Sequence, residues 1–194
     1  MKKFELTTEF ITNFLGTKLF RIKALVEFGD VEAGELGGFV EKEDNLDHDG
    51  DAWVYDDAKV SGDAWVYGNA KVSGNAKVYG DALVSGDALV YGNAKVFGNA
   101  KVYGDAWVSG NAKVSGNQMY ATVKGFGSEY RNTTFFVTKD GNVCVNCGCF
   151  SGTLEQFREK VKETHKDTEF AKEYLAIADL MEMHFKEELE KIKK

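Results

Sequence analysis

Between Gly50 and Ser115 the chain writes one six-residue unit eleven times without a gap. Every unit places alanine third and valine fifth, and most begin with Gly-Asn or Gly-Asp. Two apolar residues at a spacing of two define one face of a β-strand, because successive strand side chains point to opposite faces. The Gly-Asn and Gly-Asp pairs suit a turn with positive φ. We therefore predict that each unit is a short strand followed by a bend.

Such a unit cannot bury its apolar face alone, so successive units must stack into a solenoid. The hexads resemble the hexapeptide-repeat left-handed β-helix family, in which three units form a triangular coil of 18 residues. The resemblance implies the left hand and the triangular coil, and eleven units then give about four coils. The predicted fold is mainly β: a left-handed parallel β-helix with an N-terminal β cap and a C-terminal β-hairpin plus two α-helices.

We divide the chain into an N-terminal cap at 1–49, the hexapeptide-repeat β-helix at 50–121 and a C-terminal hairpin and helical domain at 122–194. The cap contains two β-like runs, Leu19 to Val26 and Phe39 to Val40. Its segment LGGFVEKEDNL, leading into the hexads, resembles repeat proteins that phages and prophages often encode. An irregular, acidic lead-in of this kind protects an open solenoid edge from strand addition.

In the C-terminal domain, Asp140-Gly141 predicts the turn of a hairpin that runs from Thr133 to Cys149. Thr153 and Gln156 predict a capping box that opens a first helix, and Asp167 is the expected cap of a second. The second helix carries an apolar stripe at spacings of three and four, formed by Phe170, Tyr174, Ile177, Met181, Phe185, Leu189 and Ile192. We expect this stripe to pack on the solenoid or on the hairpin, with a coiled-coil partner as the alternative.

Folding the hexads at 18 residues sorts their outward side chains into three columns. One column is basic and consists of Lys59, Lys77, Lys95 and Lys113, with Tyr79 and Phe97 beside them. The other two columns are largely apolar and contain Trp53, Trp65, Leu83, Leu89 and Trp107. Exposed apolar faces of this size mark interfaces, so we predict a homo-oligomer, and the resemblance implies a trimer. The alternative is that the chain's own C-terminal helix covers one face.

The lysine residues repel one another unless water, salt or an anion screens them. One interpretation is a solvated face that protects the solenoid from aggregation. The other is a binding site in which the lysines, with Tyr79 and Phe97, take a phosphate-bearing, nucleotide-like ligand. Both interpretations remain open at the level of sequence.

Catalytic signals are weak. The resemblance includes acyltransferases that use a histidine base, yet no histidine lies between Gly50 and Ser115. His48 is the histidine next to the repeat, and we expect it to be a surface residue of the cap. We therefore predict no catalytic residue and no cofactor, with an acyltransferase-like enzyme or a structural assembly element as alternatives.

Cys144, Cys147 and Cys149 form a C-x-x-C-x-C pattern that could bind zinc together with His165 or His184. The paired C-x-x-C motifs of most zinc sites are absent. We expect buried, reduced thiols and no metal.

The net charge of −7 disfavours wholesale coating of nucleic acid. The sequence has no apolar run of the length that a membrane helix needs and no secretory signal pattern, so we expect a cytoplasmic protein without membrane contact. The overall prediction is a non-catalytic oligomeric binding protein. Through its resemblance it is a phage or prophage accessory protein, for example in counter-defence, that sequesters a small anionic ligand or binds a host protein.

Overall fold

The computed structural model describes residues 1–13 and 15–192. Each hexad contributes one two-residue strand, as the repeat predicts. The eleven strands are β4 Trp53–Val54, β5 Lys59–Val60, β6 Trp65–Val66, β7 Lys71–Val72, β8 Lys77–Val78, β9 Leu83–Val84, β10 Leu89–Val90, β11 Lys95–Val96, β12 Lys101–Val102, β13 Trp107–Val108 and β14 Lys113–Val114.

Strands that are three units apart pair in parallel, which gives the columns β4-β7-β10-β13, β5-β8-β11-β14 and β6-β9-β12. Val54 lies opposite Val72, and Val90 lies opposite Val108, so one turn of the solenoid takes 18 residues. The alanine and valine of every hexad are buried and fill the interior. The predicted fold class is confirmed as a mainly β solenoid of about four turns with additional elements at both ends.

At several corners the turns stack so closely that a side chain would crowd the backbone of the next turn. Gly86 has a φ of +68°, and a Cβ at this position would lie 2.9 Å from the backbone nitrogen of Gly104 in the next turn. Asp56 replaces glycine in the second hexad and adopts a φ of 53°. Aspartate tolerates this conformation better than most residues do, and the Asp56 carboxylate accepts a hydrogen bond from the N–H of Gly74.

The N-terminal segment extends one strand column of the solenoid into a seven-stranded sheet. Strands β1 Phe4–Thr12, β2 Lys18–Ala24 and β3 Leu36–Val40 pair antiparallel in succession, and β3 then pairs in parallel with β5. Leu46 forms a parallel bridge to Val66, so the solenoid begins before the first hexad. The sequence did not predict β1.

This cap covers the first tryptophan of the repeat. Trp53 is 0% exposed, and its ring packs against the rings of Phe4 and Phe28 at centroid distances of 6.2 and 5.3 Å. Gly37 allows the close approach, because a Cβ there would lie 2.7 Å from the Trp53 ring. The prediction that Trp53 lies at an oligomer interface is therefore wrong, since the chain's own N-terminus occupies that surface.

The C-terminal domain is a four-stranded antiparallel sheet with two helices. Its elements are β15 Tyr120–Val123, β16 Thr133–Val137, β17 Val143–Cys147, β18 Phe150–Thr153, α1 Leu154–His165 and α2 Glu169–Ile192. The predicted hairpin around Asp140-Gly141 is confirmed as β16 and β17. The predicted capping box is also confirmed, because Thr153 and Gln156 exchange both hydrogen bonds.

Two details of the second helix differ from prediction. Thr168 rather than Asp167 caps α2, since the N–H of Ala171 donates to the Thr168 hydroxyl at 3.4 Å. Phe170 is exposed, and the buried stripe contains Ala171 and Ala178 in addition to the predicted Tyr174, Met181 and Phe185. The stripe packs on α1 and β16, so α2 belongs to the C-terminal sheet.

The C-terminal sheet closes the last turn of the solenoid. Ala112 forms an antiparallel bridge to Thr138, and the N–H of Trp107 donates to the Thr134 hydroxyl at 2.9 Å. The Asn146 side chain donates to the carbonyl of Trp107 at 2.8 Å.

Neither helix in the described part of the chain is long and apolar enough to cross a membrane.

Candidate functional site: the lysine column and the junction cleft

The four predicted lysines form one straight column on the β5-β8-β11-β14 sheet. Lys59 lies opposite Lys77, Lys77 opposite Lys95, and Lys95 opposite Lys113. Since each of the four strands presents the same position outward, the side chains point to one face. We call this set the lysine column.

Tyr79 and Phe97 stack on each other beside the lysine column. Their ring centroids are 5.1 Å apart and their planes differ by 8°. The Nζ of Lys113 lies 5.9 Å from the centroid of Phe97. Burial raises the pKa of the Tyr79 hydroxyl, so this group stays neutral and adds no negative charge to the face.

The C-terminal hairpin brings a further lysine to the end of the column. The backbone N–H of Lys139 donates to the carbonyl of Asn111 at 3.3 Å, next to the bridge between Ala112 and Thr138. Here the hairpin and three successive turns of the solenoid line a cleft of about 390 Å³, which we call the junction cleft. It is lined by Tyr79, Asn93, Lys95, Asn111, Ala112, Lys113 and Lys139.

Sequence reasoning missed Lys139 as a site residue. Its position depends on pairing between the hairpin turn and the last turn of the solenoid, and no periodicity or motif in the sequence marks that contact. The structure brings Lys95, Lys113 and Tyr79 together at the cleft with Lys139. Lys59 lies at the other end of the column.

In the part of the chain that the structure describes, the lysines of the cleft have no carboxylate partner. Within residues 1–13 and 15–192, no acidic group lies within 4 Å of the ammonium of Lys95, Lys113 or Lys139. By contrast, Lys71 on a neighbouring column pairs with Asp30 at 2.7 Å. Burial and the nearby Lys77 lower the pKa of Lys59, whose ammonium donates to the carbonyl of Asp57. Positive charge on this face is therefore left for water or a bound anion to compensate.

The turn residues that precede the column lysines are mostly uncharged. All five Gly-Asn-Ala hexads carry lysine at the next position, whereas all five Gly-Asp-Ala hexads carry tryptophan or leucine there. The exposed Asn75, Asn93 and Asn111 consequently precede Lys77, Lys95 and Lys113. An asparagine amide can donate hydrogen bonds and has no charge, so it forms no ion pair with the lysine that follows it. Lys71, which follows Asn69, takes its partner Asp30 from the cap. Asp57, before Lys59, is the exception.

The other residues predicted at an oligomer interface lie in two separate columns. Trp107 is 37% exposed and Trp65 is 39% exposed, while Leu83 and Leu89 are half-buried. The Trp65 ring stacks on the ring of Tyr67 at 4.1 Å. These four residues remain open to a partner, unlike Trp53.

The cysteines do not form a convergent set. Cys144 and Cys147 lie three positions apart on β17, so a regular strand points them to opposite faces. No group of three potential metal ligands forms among the described residues. Burial raises the pKa of Cys144, whereas Cys149 is exposed in the turn before β18, so the expectation of buried thiols is wrong for Cys149.

A second cleft, of about 330 Å³, lies between the C-terminal sheet and α1. Its polar lining includes Arg131, Cys147, Lys160, His165 and Tyr174. The Sγ of Cys147 accepts a hydrogen bond from the Thr133 hydroxyl at 3.1 Å, and burial raises the pKa of Tyr174 to about 12. Tyr174 therefore keeps its proton at neutral pH, and the Cys147 sulfur is hydrogen-bonded within this domain.

His48 is held within the N-terminal cap. Its ring stacks on Phe4 at 4.4 Å, and its Nδ1 accepts the backbone N–H of Lys3 at 3.2 Å. Its Nε2 lies 3.8 Å from a carboxylate oxygen of Glu43. The imidazole thus links Lys3 and Phe4 to the segment that contains Glu43.

Comparison with known families supports the architecture. The YdcK β-solenoid repeat model matches residues 76–92, a stretch that includes β8, β9 and β10. The parallel columns form a β-solenoid, and the match to residues 76–92 agrees with that architecture. A search of curated proteins found no match.

Proposed function

We propose that this protein is a non-catalytic binding protein whose junction cleft takes a small phosphate-bearing anion. The observation that carries the proposal is that Lys95, Lys113 and Lys139 converge on one cleft and, among the described residues, have no carboxylate partner. Lysine is a common phosphate ligand because its ammonium is a compact charge with three donors. The amides of Asn93 and Asn111 supply further neutral donors to the same cleft.

A ligand with an aromatic group can gain additional contacts at the Tyr79 and Phe97 pair. The two rings cover each other's inner faces, so a nucleotide base can stack only on an outer face. The serines at the corresponding positions of the adjacent turns, Ser61 and Ser115, are small and leave space beside those outer faces. Nucleotide-like ligands are thus compatible with the cleft, with the phosphates providing most of the contact.

Further parts of the proposal concern assembly and origin. Trp65, Leu83, Leu89 and Trp107 support a homo-oligomer, and the resemblance to left-handed hexapeptide proteins supports a trimer. The lead-in LGGFVEKEDNL supports a phage or prophage accessory protein. In that setting, sequestration of a nucleotide signal would be a counter-defence function.

Isothermal titration calorimetry at low ionic strength tests the binding proposal with adenosine triphosphate and inorganic triphosphate as probes. We expect the wild-type protein to bind at least one of them and the double variant Lys95→Gln/Lys113→Gln to bind at least tenfold more weakly. Lys101→Gln is the matched control, because Lys101 occupies the same hexad position on the β6-β9-β12 column. Absence of wild-type binding, or equal binding by the double variant, would overturn the proposal.

A further inference from the structure

We infer that the phosphate-bearing ligand is a linear inorganic polyphosphate that lies along the lysine column, parallel to the solenoid axis. The inference rests on the proposed function and names the ligand class of the same site. Unlike a compact ligand, a linear polyphosphate also contacts Lys59 and Lys77, which lie outside the junction cleft.

The dimensions of the column favour an extended ligand. Neighbouring strands lie about 4.8 Å apart, so Lys59 and Lys113, separated by three strand spacings, are about 14 Å apart. Lys139 lies beside Asn111 at the junction end of the column and lines the same cleft as Lys95 and Lys113. A compact triphosphate held in the junction cleft leaves Lys59 and Lys77 without an anion. A linear chain with a charge on every phosphate can contact all five ammonium groups at once.

The residues beside the lysine column are neutral near the junction and acidic near the cap. Toward the junction, Lys95 and Lys113 follow the neutral Asn93 and Asn111. Toward the cap, Asp57 precedes Lys59, and Asp81 lies in the turn after Lys77. Asp63, another carboxylate near the cap, is paired with Lys42 at 2.7 Å. The attraction for a polyanion is thus strongest at the junction and continues, more weakly, to Lys59.

The repeat also distinguishes a bare phosphate chain from a single-stranded nucleic acid. Proteins that bind single strands stack successive bases on separate aromatic side chains. On this face Tyr79 and Phe97 stack on each other, and the other turns carry Ser61 and Ser115 at that position. Each strand of the column therefore offers a cation, and the strands of Lys77, Lys95 and Lys113 also offer an amide. Only the outer faces of Tyr79 and Phe97 are open for stacking, so successive bases do not each find a separate ring.

The test compares the binding of pyrophosphate, triphosphate and polyphosphates of increasing defined length by calorimetry. We expect affinity to rise at least tenfold between triphosphate and a chain that spans the column, and the salt dependence to become steeper, because each added contact releases counterions. Lys59→Gln/Lys77→Gln should weaken binding of the long chain about tenfold and leave triphosphate binding unchanged. Lys101→Gln should alter neither.

The outcomes separate this inference from the proposal beneath it. If triphosphate binds at the junction cleft and longer chains bind no more tightly per molecule, the polyphosphate inference fails and the proposed function stands. If neither probe binds, both fail. Tighter binding of a uniform oligonucleotide than of a polyphosphate with equal charge would also overturn the inference, in favour of a nucleic acid.

Discussion

Trp53 and Trp107 show how one repeat position can serve two purposes. Both stand fourth in a GDAW hexad, and both belong to the β4-β7-β10-β13 column. Trp53 lies at the end that the N-terminal cap covers and is wholly buried, whereas Trp107 remains 37% exposed. The hexad thus sets the direction of the side chain, and the neighbouring segment decides whether it becomes core.

We predict that Trp53→Ala lowers the free energy of unfolding by about 3–5 kcal/mol, because it leaves a large cavity beneath Phe4 and Phe28. Trp107→Ala is the matched control and should cost much less, since its ring is partly in water. Urea denaturation followed by circular dichroism measures both values. Equal losses would show that the cap does not depend on Trp53.

At the scale of the element, the stacked turns depend on glycine for two separable reasons. Gly86 and Gly104 occupy the same column of turns with φ of +68° and +67°. A Cβ on Gly86 would lie 2.9 Å from the backbone nitrogen of Gly104, whereas a Cβ on Gly104 meets no atom within 4 Å. The first position combines conformational and steric requirements, and the second has the conformational requirement alone.

Alanine at Gly104 should therefore cost about 1–2 kcal/mol, the strain of a left-handed residue. Alanine at Gly86 should cost clearly more, because the next turn must also move away from the new methyl group. The thermal midpoints of the two variants give the comparison. A smaller loss for Gly86→Ala than for Gly104→Ala would contradict the observed stacking.

Elements that depend on local spacing could be predicted from the sequence, whereas contacts between distant segments could not. The hexads, the Asp140-Gly141 hairpin and the Thr153 capping box depend on local spacing, and all three were predicted correctly. The burial of Trp53 and the position of Lys139 depend on contacts between segments far apart in the chain. No local pattern encodes those contacts, so the lysine column was predictable and the junction cleft was not.

At the scale of the whole molecule, tyrosine hydroxyls link the N-terminal cap and the C-terminal sheet to the solenoid. Tyr55 of the first hexad donates to the Asp30 carboxylate of the cap at 2.8 Å. Tyr120 donates to the carbonyl of Lys101 at 2.6 Å, which links the C-terminal sheet to the solenoid. Burial raises the pKa of Tyr55, and it raises the pKa values of Tyr120 and Tyr174 to about 12.

These shifts predict alkaline instability. In the unfolded chain the tyrosines lose their protons near pH 10, while the folded protein keeps them to about pH 12. The unfolded state binds fewer protons between these values, so stability is fully present below pH 10 and falls as pH rises toward 12. Urea denaturation at pH 9 and pH 11 should show this fall.

Tyr120→Phe and Tyr174→Phe should each make the fall in stability shallower. Tyr130→Phe is the control, because Tyr130 is 65% exposed. An unchanged pH dependence in both of the first two variants would refute the role of these buried hydroxyls.

The central claim, that phosphate-bearing anions bind the lysine column at the junction cleft, is tested most directly by lysine footprinting. The wild-type protein is treated with an acylating reagent, with and without triphosphate, and the labelling of each lysine is measured by mass spectrometry. We predict that triphosphate slows the labelling of Lys95, Lys113 and Lys139 and leaves Lys101 and Lys172 unchanged. Equal labelling of the three cleft lysines with and without triphosphate, or equal protection of all five lysines, would contradict the claim.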